Sequence, residues 1–370
     1  MTKFIIRRII QALPVIWLIT VVSFLLMQQA PGGPQAAFNQ NPHITPDQVN
    51  AWLARWCLVR NAGIVDTLKE YLGWLGVINC SSGTFSFISA QGWPNFLPTF
   101  LGGGTNGVIH GDFGYSISSG QPVLDLITQR IPATFILMGT AWILWVTIAT
   151  FIGVLAAVKR YSATDQTITI FSYIFYSLPT FWLGLILIFI FAVELRWFPA
   201  QGIVNVRSSP APFATEAYWK AFAANPWPQI YDIGTHLILP VVTLIAVSVA
   251  GDSRFVRSAM LESMSQDYVR TARAKGLPGR TVIYRHAFRN ALLPIVTNIA
   301  LEIAFLFGGA IATETVFSWP GMGLLFYDGV NQRDYFLLMG LLLIGSLFIV
   351  FMNLVADVLY VMVDPRIKYD

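Results

Sequence analysis

The sequence has 370 residues, of which 55% are apolar and only 11% are charged, and its mean hydropathy is +0.61. Because a typical soluble domain is about 25% charged, this composition excludes an ordinary soluble protein and predicts an all-α protein that crosses a membrane several times. The formal net charge of +4 indicates membrane orientation rather than nucleic-acid binding, since the basic residues lie beside apolar stretches.

Six stretches are apolar enough to cross a hydrocarbon core about 30 Å thick, which takes about 20 residues. They are residues 9–29, 133–158, 168–195, 237–250 with an extension, 291–313 and 336–363. Residues 1–30 are expected to stay as an N-terminal transmembrane helix rather than a cleaved signal, because no small-residue cleavage site follows the apolar run. Pro14, Pro179 and Pro240 are expected to kink their helices.

A large region, residues 31–130, separates the first two spans. Its segment ITPDQVNAWLARWCLV begins with a capping box, Thr45 with Gln48, and predicts a short helix. The segment DTLKEYLGWLGV predicts a second short amphipathic helix, with Leu68, Tyr71, Leu72 and Leu75 on one face. Cys57 and Cys80 both lie in this region; they form either a disulfide bond or two free thiols.

A 38-residue basic loop, residues 252–289, lies between the fourth and fifth spans. Its segment SMSQDYVRTARAKG predicts a short helix that Ser263 or Ser265 caps and that ends at a left-handed Gly276. The small side chains of Ala272 and Ala274 would allow a partner protein to approach closely. The charges alone also fit contact with anionic lipid headgroups, but the cap, the alanines and the glycine stop favour a protein partner.

Four acidic or amide side chains fall within the predicted fifth and sixth spans, where such groups are costly and usually face a cavity or an interior. Each could line a transport path, pair with a neighbouring helix or lie near the membrane interface. They are Asn298, Glu302, Asn353 and Asp357. The histidines show no metal-ligand spacing, and no catalytic constellation is present, so an enzyme is not expected.

The basic residues predict the orientation, since Lys and Arg in short loops beside spans face the cytoplasm. With the N-terminus inside, the cytoplasmic segments hold 15 of the 23 Lys and Arg residues, including eight between Arg254 and Arg289. The opposite orientation fails this count. We therefore expect six spans with both termini in the cytoplasm and a large external insert after the first span.

Residues 270–276 resemble the EAA coupling loop of ATP-binding-cassette (ABC) importer permeases, in the DYVRTARAKGL form of the dipeptide, oligopeptide and nickel branch. Arg270 and Thr271 replace the Glu and first Ala of the general pattern, and Leu293-Pro294 lies farther from Gly276 than in that pattern. Other stretches agree with this branch: APGGP, GDFGYS, VLDLITQRIPATFIL, VFSWPGMGLL and VDPRIKYD. Residues 79–107 and part of 203–235 look like insertions relative to the family.

The resemblance implies a type I ABC importer permease fold, with a permease domain at residues 131–366, in the plasma membrane of a prokaryote. It implies two cytoplasmic ATPase subunits that bind ATP and Mg²⁺, a second similar permease subunit, an external substrate-binding protein, and membrane lipid around the spans. This chain has no GxxxxGK[ST] phosphate loop and is expected to hold no cofactor itself. The coupling surface would comprise Arg270, Thr271, Ala272, Arg273, Ala274, Lys275 and Gly276.

The cargo would be a dipeptide or oligopeptide, with nickel or another peptide-like solute as the alternative. A channel or secondary transporter that needs no ATPase is a rival from a different class, and a structural membrane protein is another. The channel or secondary-transporter reading leaves the docking-type basic loop unexplained, and the sequence shows no clear pair of repeated halves.

Overall fold

The computed structural model describes residues 2–29, 64–77, 107–207, 209, 211–303, 306 and 309–363. Over these ranges the chain is helical without a strand, apart from an isolated bridge between Tyr115 and Pro122. The predicted helix at 44–59, the two cysteines, nearly all of 79–107 and the C-terminal segment VDPRIKYD after its first residue lie outside the described residues.

The helices within the described ranges are numbered here in chain order. They are α1 (Thr2–Gln29), α2 (Ile64–Leu75), α3 (Val123–Val158), α4 (Ala163–Ser177), α5 (Thr180–Leu187), α6 (Glu216–Ala224), α7 (Pro226–Ser265), α8 (Asp267–Ala274), α9 (Arg289–Ile303), α10 (Ile311–Val316), α11 (Met322–Asn331) and α12 (Tyr335–Val363). Wider π-helical segments follow α5, at Ile188–Glu194, and precede α9, at Val282–Phe288.

Four of these helices are long and apolar enough to span a membrane, within the part of the chain that is described. The spanning segments are Ile6–Leu26, Val123–Val158, Pro226–Ser265 and Tyr335–Asp357. They confirm four predicted spans, and α7 extends far beyond the predicted apolar stretch 237–250 at both ends. At about 1.5 Å per residue, its 40 residues reach roughly 60 Å, twice the hydrocarbon thickness.

The predicted third span is broken rather than kinked. Helices α4 and α5, the latter extended by its π-helical segment, meet at Leu178-Pro179 with a bend of 98° and could form one broken span. Proline lacks the N–H that continues a helix, and it forces the preceding residue out of helical geometry. Leu178 accordingly has extended angles, with φ −80° and ψ 131°.

The predicted fifth span, 291–313, is only partly described. Helix α9 covers its first part with 15 residues, or about 22 Å, which is shorter than the hydrocarbon core. Residues 304, 305, 307 and 308 lie outside the described part, and α10 begins at Ile311. The count of six spans therefore stays a prediction.

The chain divides into two compact units. The larger comprises Met1–Ile9, Gln129–Leu325 and Phe348–Asp370. One of its cores lies where α3, α7 and α9 meet the basic loop, and it consists of small and β-branched residues around Met260. A second core surrounds Trp319, whose indole N–H donates a 2.8 Å hydrogen bond to the carbonyl of Ala133.

The smaller unit comprises Ile10–Thr128 and Phe326–Leu347. In it α2 packs on α1 through Phe24, Tyr71 and Trp74, and the hydroxyls of Thr20 and Tyr71 share a 2.8 Å hydrogen bond. The predicted helix is therefore confirmed, but its buried face is different, because Leu68 is exposed and Trp74 is buried. Packing against α1, and not only the apolar pattern of α2, determines which face of α2 is buried.

A buried carboxylate organises the start of α12 in the same smaller unit. Asp334 is fully buried and accepts hydrogen bonds from the hydroxyl of Ser116 at 2.5 Å and from the N–H of Leu337 at 3.2 Å. The second bond caps the first turn of α12. The GDFGYS motif thus has a structural role, since its serine fixes the position of that helix end.

A close approach of α3 and α7 gives the first testable prediction. A Cβ atom at Gly153 would lie 2.6 Å from the carbonyl oxygen of Ser253, whereas one at Gly139 on the same helix would meet nothing within 4 Å. We expect Gly153→Val to cost about 1–3 kcal/mol through overpacking. Thermal unfolding in detergent should show a lower midpoint for Gly153→Val than for the matched control Gly139→Val. Equal midpoints for the two variants would contradict this packing.

Candidate coupling loop and membrane acids

The basic helix α8 follows α7 after a single residue. Gln266 has extended backbone angles, φ −72° and ψ 154°, and its carbonyl accepts from the N–H of Val269 at 3.1 Å. The prediction that Ser263 or Ser265 caps α8 is wrong, because both lie in the last turn of α7. Ser265 donates to the carbonyl of Glu262 instead.

The end of α8 matches the sequence prediction. Gly276 is left-handed, with φ +74°, and its N–H donates to the carbonyl of Arg273 at 3.0 Å. The N–H of Leu277 reaches back to the carbonyl of Ala272 at 3.4 Å, which completes a Schellman motif. A residue with a Cβ atom would be strained at position 276, so the glycine ends the helix there.

One face of α8 is buried in the larger unit's core around Met260. Val269 is 1% exposed and Ala272 is 4% exposed, one turn apart on the same side of the helix. They pack with Val282 and Ala287 of the returning chain. This corrects the expectation that Ala272 presents a small surface to a partner, because its side chain faces the protein's own interior.

The opposite face of α8 is open to solvent and basic. The exposed residues of α8 are Asp267, Tyr268, Arg270, Thr271, Arg273 and Ala274, and the two residues that follow the helix, Lys275 and Gly276, are exposed as well. Arg270 lies 3.6 Å from Asp267, but both side chains are strongly exposed, so this ion pair contributes little to stability. The loop therefore presents an exposed basic ridge, in which the positive side chains of Arg270, Arg273 and Lys275 lie beside the small side chain of Ala274.

A buried serine connects the end of α7, helix α8 and the segment that returns to α9. The hydroxyl of Ser263 on α7 donates a 2.7 Å hydrogen bond to the carbonyl of Ala287 and lies 2.7 Å from the hydroxyl of Tyr268 on α8. The residue is 6% exposed. The sequence predicted that Ser263 or Ser265 caps α8. The role of Ser263 in linking α7 to α8 and to Ala287 becomes visible only in the fold.

An ion pair holds the same end of α7 against α4. The guanidinium of Arg257 donates two hydrogen bonds to the carboxylate of Asp165, at 2.7 and 2.8 Å. Asp165 lies in the first turn of α4, where Ser162 is the N-cap, and its carboxylate also accepts from the N–H of Tyr161 at 2.9 Å. Bidentate geometry fixes orientation as well as distance, so α7 is held in register with α4.

The four polar residues of the predicted spans have different surroundings. Glu302 accepts a 2.6 Å hydrogen bond from the side chain of Asn298, one turn earlier on α9. The carboxyl group of Asp252 on α7 faces that of Glu302, so these three groups come together. Asp357 instead forms an ion pair with Arg8, with Oδ2 3.0 Å from Nε. Asn353 is exposed on α12.

Sequence reasoning missed a buried carboxylate in the segment that follows the predicted fifth span. Glu314 is fully buried and accepts from the N–H of Leu324 at 2.9 Å and from the hydroxyl of Thr134 at 3.3 Å. A Cβ atom at Gly309 or Gly321 would lie 2.6 or 2.5 Å from its carboxylate oxygens. The glycines of the VFSWPGMGLL region therefore leave room for this side chain, which holds the start of α11 against α3.

Burial raises the pKa of the Glu314 carboxyl above its ordinary value, because desolvation disfavours the charged form. The hydrogen bonds from Leu324 and Thr134 oppose this rise without cancelling it. The neutral form of Glu314 is therefore favoured more than in an exposed glutamate, although a hydroxyl and several backbone N–H groups bond to its carboxyl group.

These features together define a polytopic membrane protein with an exposed, well-ordered basic helix between two of its helices. The chain belongs to the family described as binding-protein-dependent transport system inner membrane component, whose model matches residues 149–369. It is therefore a multi-pass protein of the plasma membrane, and the resemblance to the dipeptide and oligopeptide branch of the ABC permeases is confirmed.

Three relatives illustrate the similarity over the whole chain. The chain is 36% identical to the oligopeptide transport system permease protein AppB of Bacillus subtilis, with 100% of both chains covered. It is 34% identical to the dipeptide transport system permease protein DppB of Escherichia coli and 32% identical to the di/tripeptide transport system permease protein DppB of Pseudomonas aeruginosa. Both alignments cover 100% of this chain and 99% of the relative.

The two faces of α8 give a prediction about stability. Ala272→Asp places an unpaired carboxylate in the core around Met260 and should cost about 3–5 kcal/mol. Ala274→Asp adds the same group to the exposed face and should leave folding nearly unchanged. Thermal unfolding of the purified complex in detergent would separate the two variants. If Ala274→Asp were as destabilising as Ala272→Asp, the assignment of the buried face would be wrong.

The environment of Glu314 gives a prediction about pH. Because the pKa of Glu314 is raised in the folded protein, its protonated form stabilises the fold. This contribution to the free energy of unfolding is complete below the pKa of the unfolded state and is lost as pH rises through the pKa of the folded state. Glu314→Gln mimics the protonated form and removes this dependence. The unfolding midpoint of the wild type should therefore fall progressively below that of Glu314→Gln as pH rises above about 4.3, the ordinary pKa of a glutamate. A difference that does not vary with pH would contradict this account.

Proposed function

We propose that this chain is the membrane-spanning permease subunit of an ATP-driven importer of peptides. The names of its relatives, which are oligopeptide, dipeptide and di/tripeptide transport system permeases, support this cargo class. The chain would cross the membrane six times with both termini in the cytoplasm. The distribution of Lys and Arg supports this orientation. The bent pair α4–α5 would supply the third crossing, and residues 291–313, which begin in α9, would supply the fifth.

In this proposal the chain works with four other components. Two cytoplasmic ATPase subunits bind ATP and Mg²⁺, a second similar permease completes the translocation path, and an external binding protein delivers the cargo. The family description, which specifies binding-protein-dependent transport, supports the last of these. The absence of a phosphate loop from the sequence is the reason for assigning ATP hydrolysis to partners.

The basic ridge of α8 is the proposed contact with an ATPase subunit. The observation that carries this proposal is the contrast between the two faces of an eight-residue helix, one deeply buried and the other entirely exposed. Arg270, Thr271, Arg273, Ala274, Lys275 and Gly276 would make the contact. Ala272 would contribute by holding the helix in place, because its side chain faces inward.

Nucleotide binding would then act on the spans through α7. Closure of the ATPase subunits would displace α8, and α8 is joined to α7 by one residue and by the hydrogen bond between Ser263 and Tyr268. Because a ligand shifts a conformational equilibrium only through different contacts in the two states, the ATPase contact must differ between the inward-open and outward-open forms. The exposed ridge is where such a difference can arise.

Glu302 is our candidate for a group that lines the peptide path, together with Asn298 and Asp252. Acidic groups inside a membrane usually face an interior or a cavity, and three polar groups converge here. Asn353 is a weaker candidate, on its exposure alone. Asp357 is better explained as the partner of Arg8, since both of its oxygens lie about 3 Å from the guanidinium, as expected of a bidentate pair.

The coupling proposal is tested by reversing a charge on the ridge. Arg273→Glu should abolish the attraction of an ATPase groove for α8 while leaving the buried face intact. We expect binding-protein-stimulated ATP hydrolysis and peptide uptake in liposomes to fall at least about tenfold, which corresponds to about 1.4 kcal/mol.

The matched control is Lys220→Glu, which reverses an exposed charge on α6, far from the loop in sequence. It should retain both activities. If Arg273→Glu retained normal uptake and normal stimulated hydrolysis in a complex that assembles, α8 would not be the coupling element.

A further inference from the structure

Large aromatic side chains of the larger unit are exposed next to two helix ends. Trp197 follows the π-helical segment Ile188–Glu194 and is 64% exposed. Trp227 and Tyr231 lie one turn apart at the start of α7, and each is 75% exposed. Exposing so much aromatic surface to water is unfavourable, so these side chains require an environment that is partly apolar.

The aromatic residues continue an apolar stripe that runs along α7. Trp227, Tyr231, Ile238 and Val242 are spaced by four, seven and four residues, which places them on one face of the helix. All four are exposed. Ile238 and Val242 lie in the segment that crosses the hydrocarbon core, where such residues contact lipid chains. The two aromatic residues therefore extend a lipid-facing surface beyond the core.

The spacing of residues along α7 fits the distance between the two headgroup layers of a bilayer. From Tyr231 to Arg254 and from Trp227 to Arg257 the helix rises about 35 and about 45 Å. A bilayer is about 30 Å thick in its hydrocarbon core and about 40–45 Å thick with its headgroup layers. If the two arginines lie in the cytoplasmic headgroup layer, Trp227 and Tyr231 fall in the external one.

The opposite end of α7 has the composition expected of such a layer. The guanidinium of Arg254 lies 4.5 Å from the ring centre of Tyr176 and 5.0 Å from that of Tyr173. Both tyrosines are exposed on α4. Tyrosine and tryptophan are enriched at membrane–water interfaces because their rings are apolar and their N–H or O–H groups remain hydrated.

We propose that Trp197, Trp227 and Tyr231 form an interfacial anchor that binds the headgroup layer of the external leaflet. Its partner is a phospholipid surface rather than the binding protein. The proposal rests on the proposed orientation of the spans, but it does not depend on which solute is carried. Because α7 runs without a break to Ser265 and carries α8 directly after it, the anchor fixes the end about which α7 can tilt.

The test uses the whole importer complex in native membranes, with a photoreactive amino acid, benzoylphenylalanine, at position 227. The matched control carries it at position 220, whose lysine side chain is also 75% exposed but forms a charged pair with Glu216 on α6. On irradiation we expect several-fold more phospholipid adduct at 227 than at 220. Adducts at 227 to the binding protein or to the second permease, with phospholipid no higher than at 220, would overturn the proposal.

A second measurement covers the case in which the modified complex fails to assemble. Trp227→Phe keeps an aromatic ring and removes one tryptophan. The emission lost from the wild type in this variant is therefore that of Trp227. In liposomes that contain brominated phospholipids, this lost component should be quenched more strongly than the remaining emission. Quenching no greater than that of the remaining emission would show that the side chain is not in lipid, whatever the outcome of the transport assays.

Discussion

The packing of Val269 and Ala272 against the end of α7 is the interaction on which the basic loop depends. A helix of eight residues is too short to be stable in isolation, because the cost of its first turn is not recovered over so few hydrogen bonds. Its stability must come from the core around Met260, which also receives Val282 and Ala287 from the returning chain. The direction of the arginine and lysine side chains follows from this packing: once two positions on one side are buried, the rest of the helix must face solvent. The proposed ATPase-contact surface is therefore a consequence of an apolar core that contains none of the surface's own residues.

Polar contacts give this core its rigidity. Ser263 links α7, α8 and the returning chain, and Arg257 holds the same end of α7 to the first turn of α4 through Asp165. Each of these bonds is made by a side chain that is at least partly withdrawn from water, where hydrogen bonds are stronger and unpaired groups are costly. A force applied to α8 must either move the end of α7 or break these contacts. Such a connection can transmit displacement, whereas a flexible linker of the same length could not.

The sequence alone predicts much of this architecture, and the failures have identifiable causes. The long apolar helices and the left-handed Gly276 follow from composition and local turn chemistry, which are properties of contiguous residues. The burial of Ala272 could not be predicted from the sequence, because alanine occurs on both buried and exposed faces of helices. In addition, residues 270–274, RTARA, show no helical repeat of apolar side chains. The cap of α8 was misplaced because the preceding helix continues through Ser263 and Ser265, which depends on its packing. Glu314 was overlooked because its partners, Thr134 and Leu324, lie 180 and 10 residues away and meet it only in the fold.

In the proposed six-span topology, the break at Pro179 limits the thickness of membrane that this part of the chain can cross. Each of its two arms, Ala163–Ser177 and Thr180–Glu194, has 15 residues and is roughly 22 Å long. With a change of direction of 98°, their combined reach along the mean axis is a little under 30 Å, close to the thickness of the hydrocarbon core. A straight helix with the same number of residues is longer than the hydrocarbon core is thick, and it can adapt by tilting. The bent pair is no longer than the core is thick, so tilting cannot adapt it to a thicker bilayer. Hydrophobic mismatch in a thicker bilayer must then be relieved by local thinning of the lipid around this element or by opening of the bend.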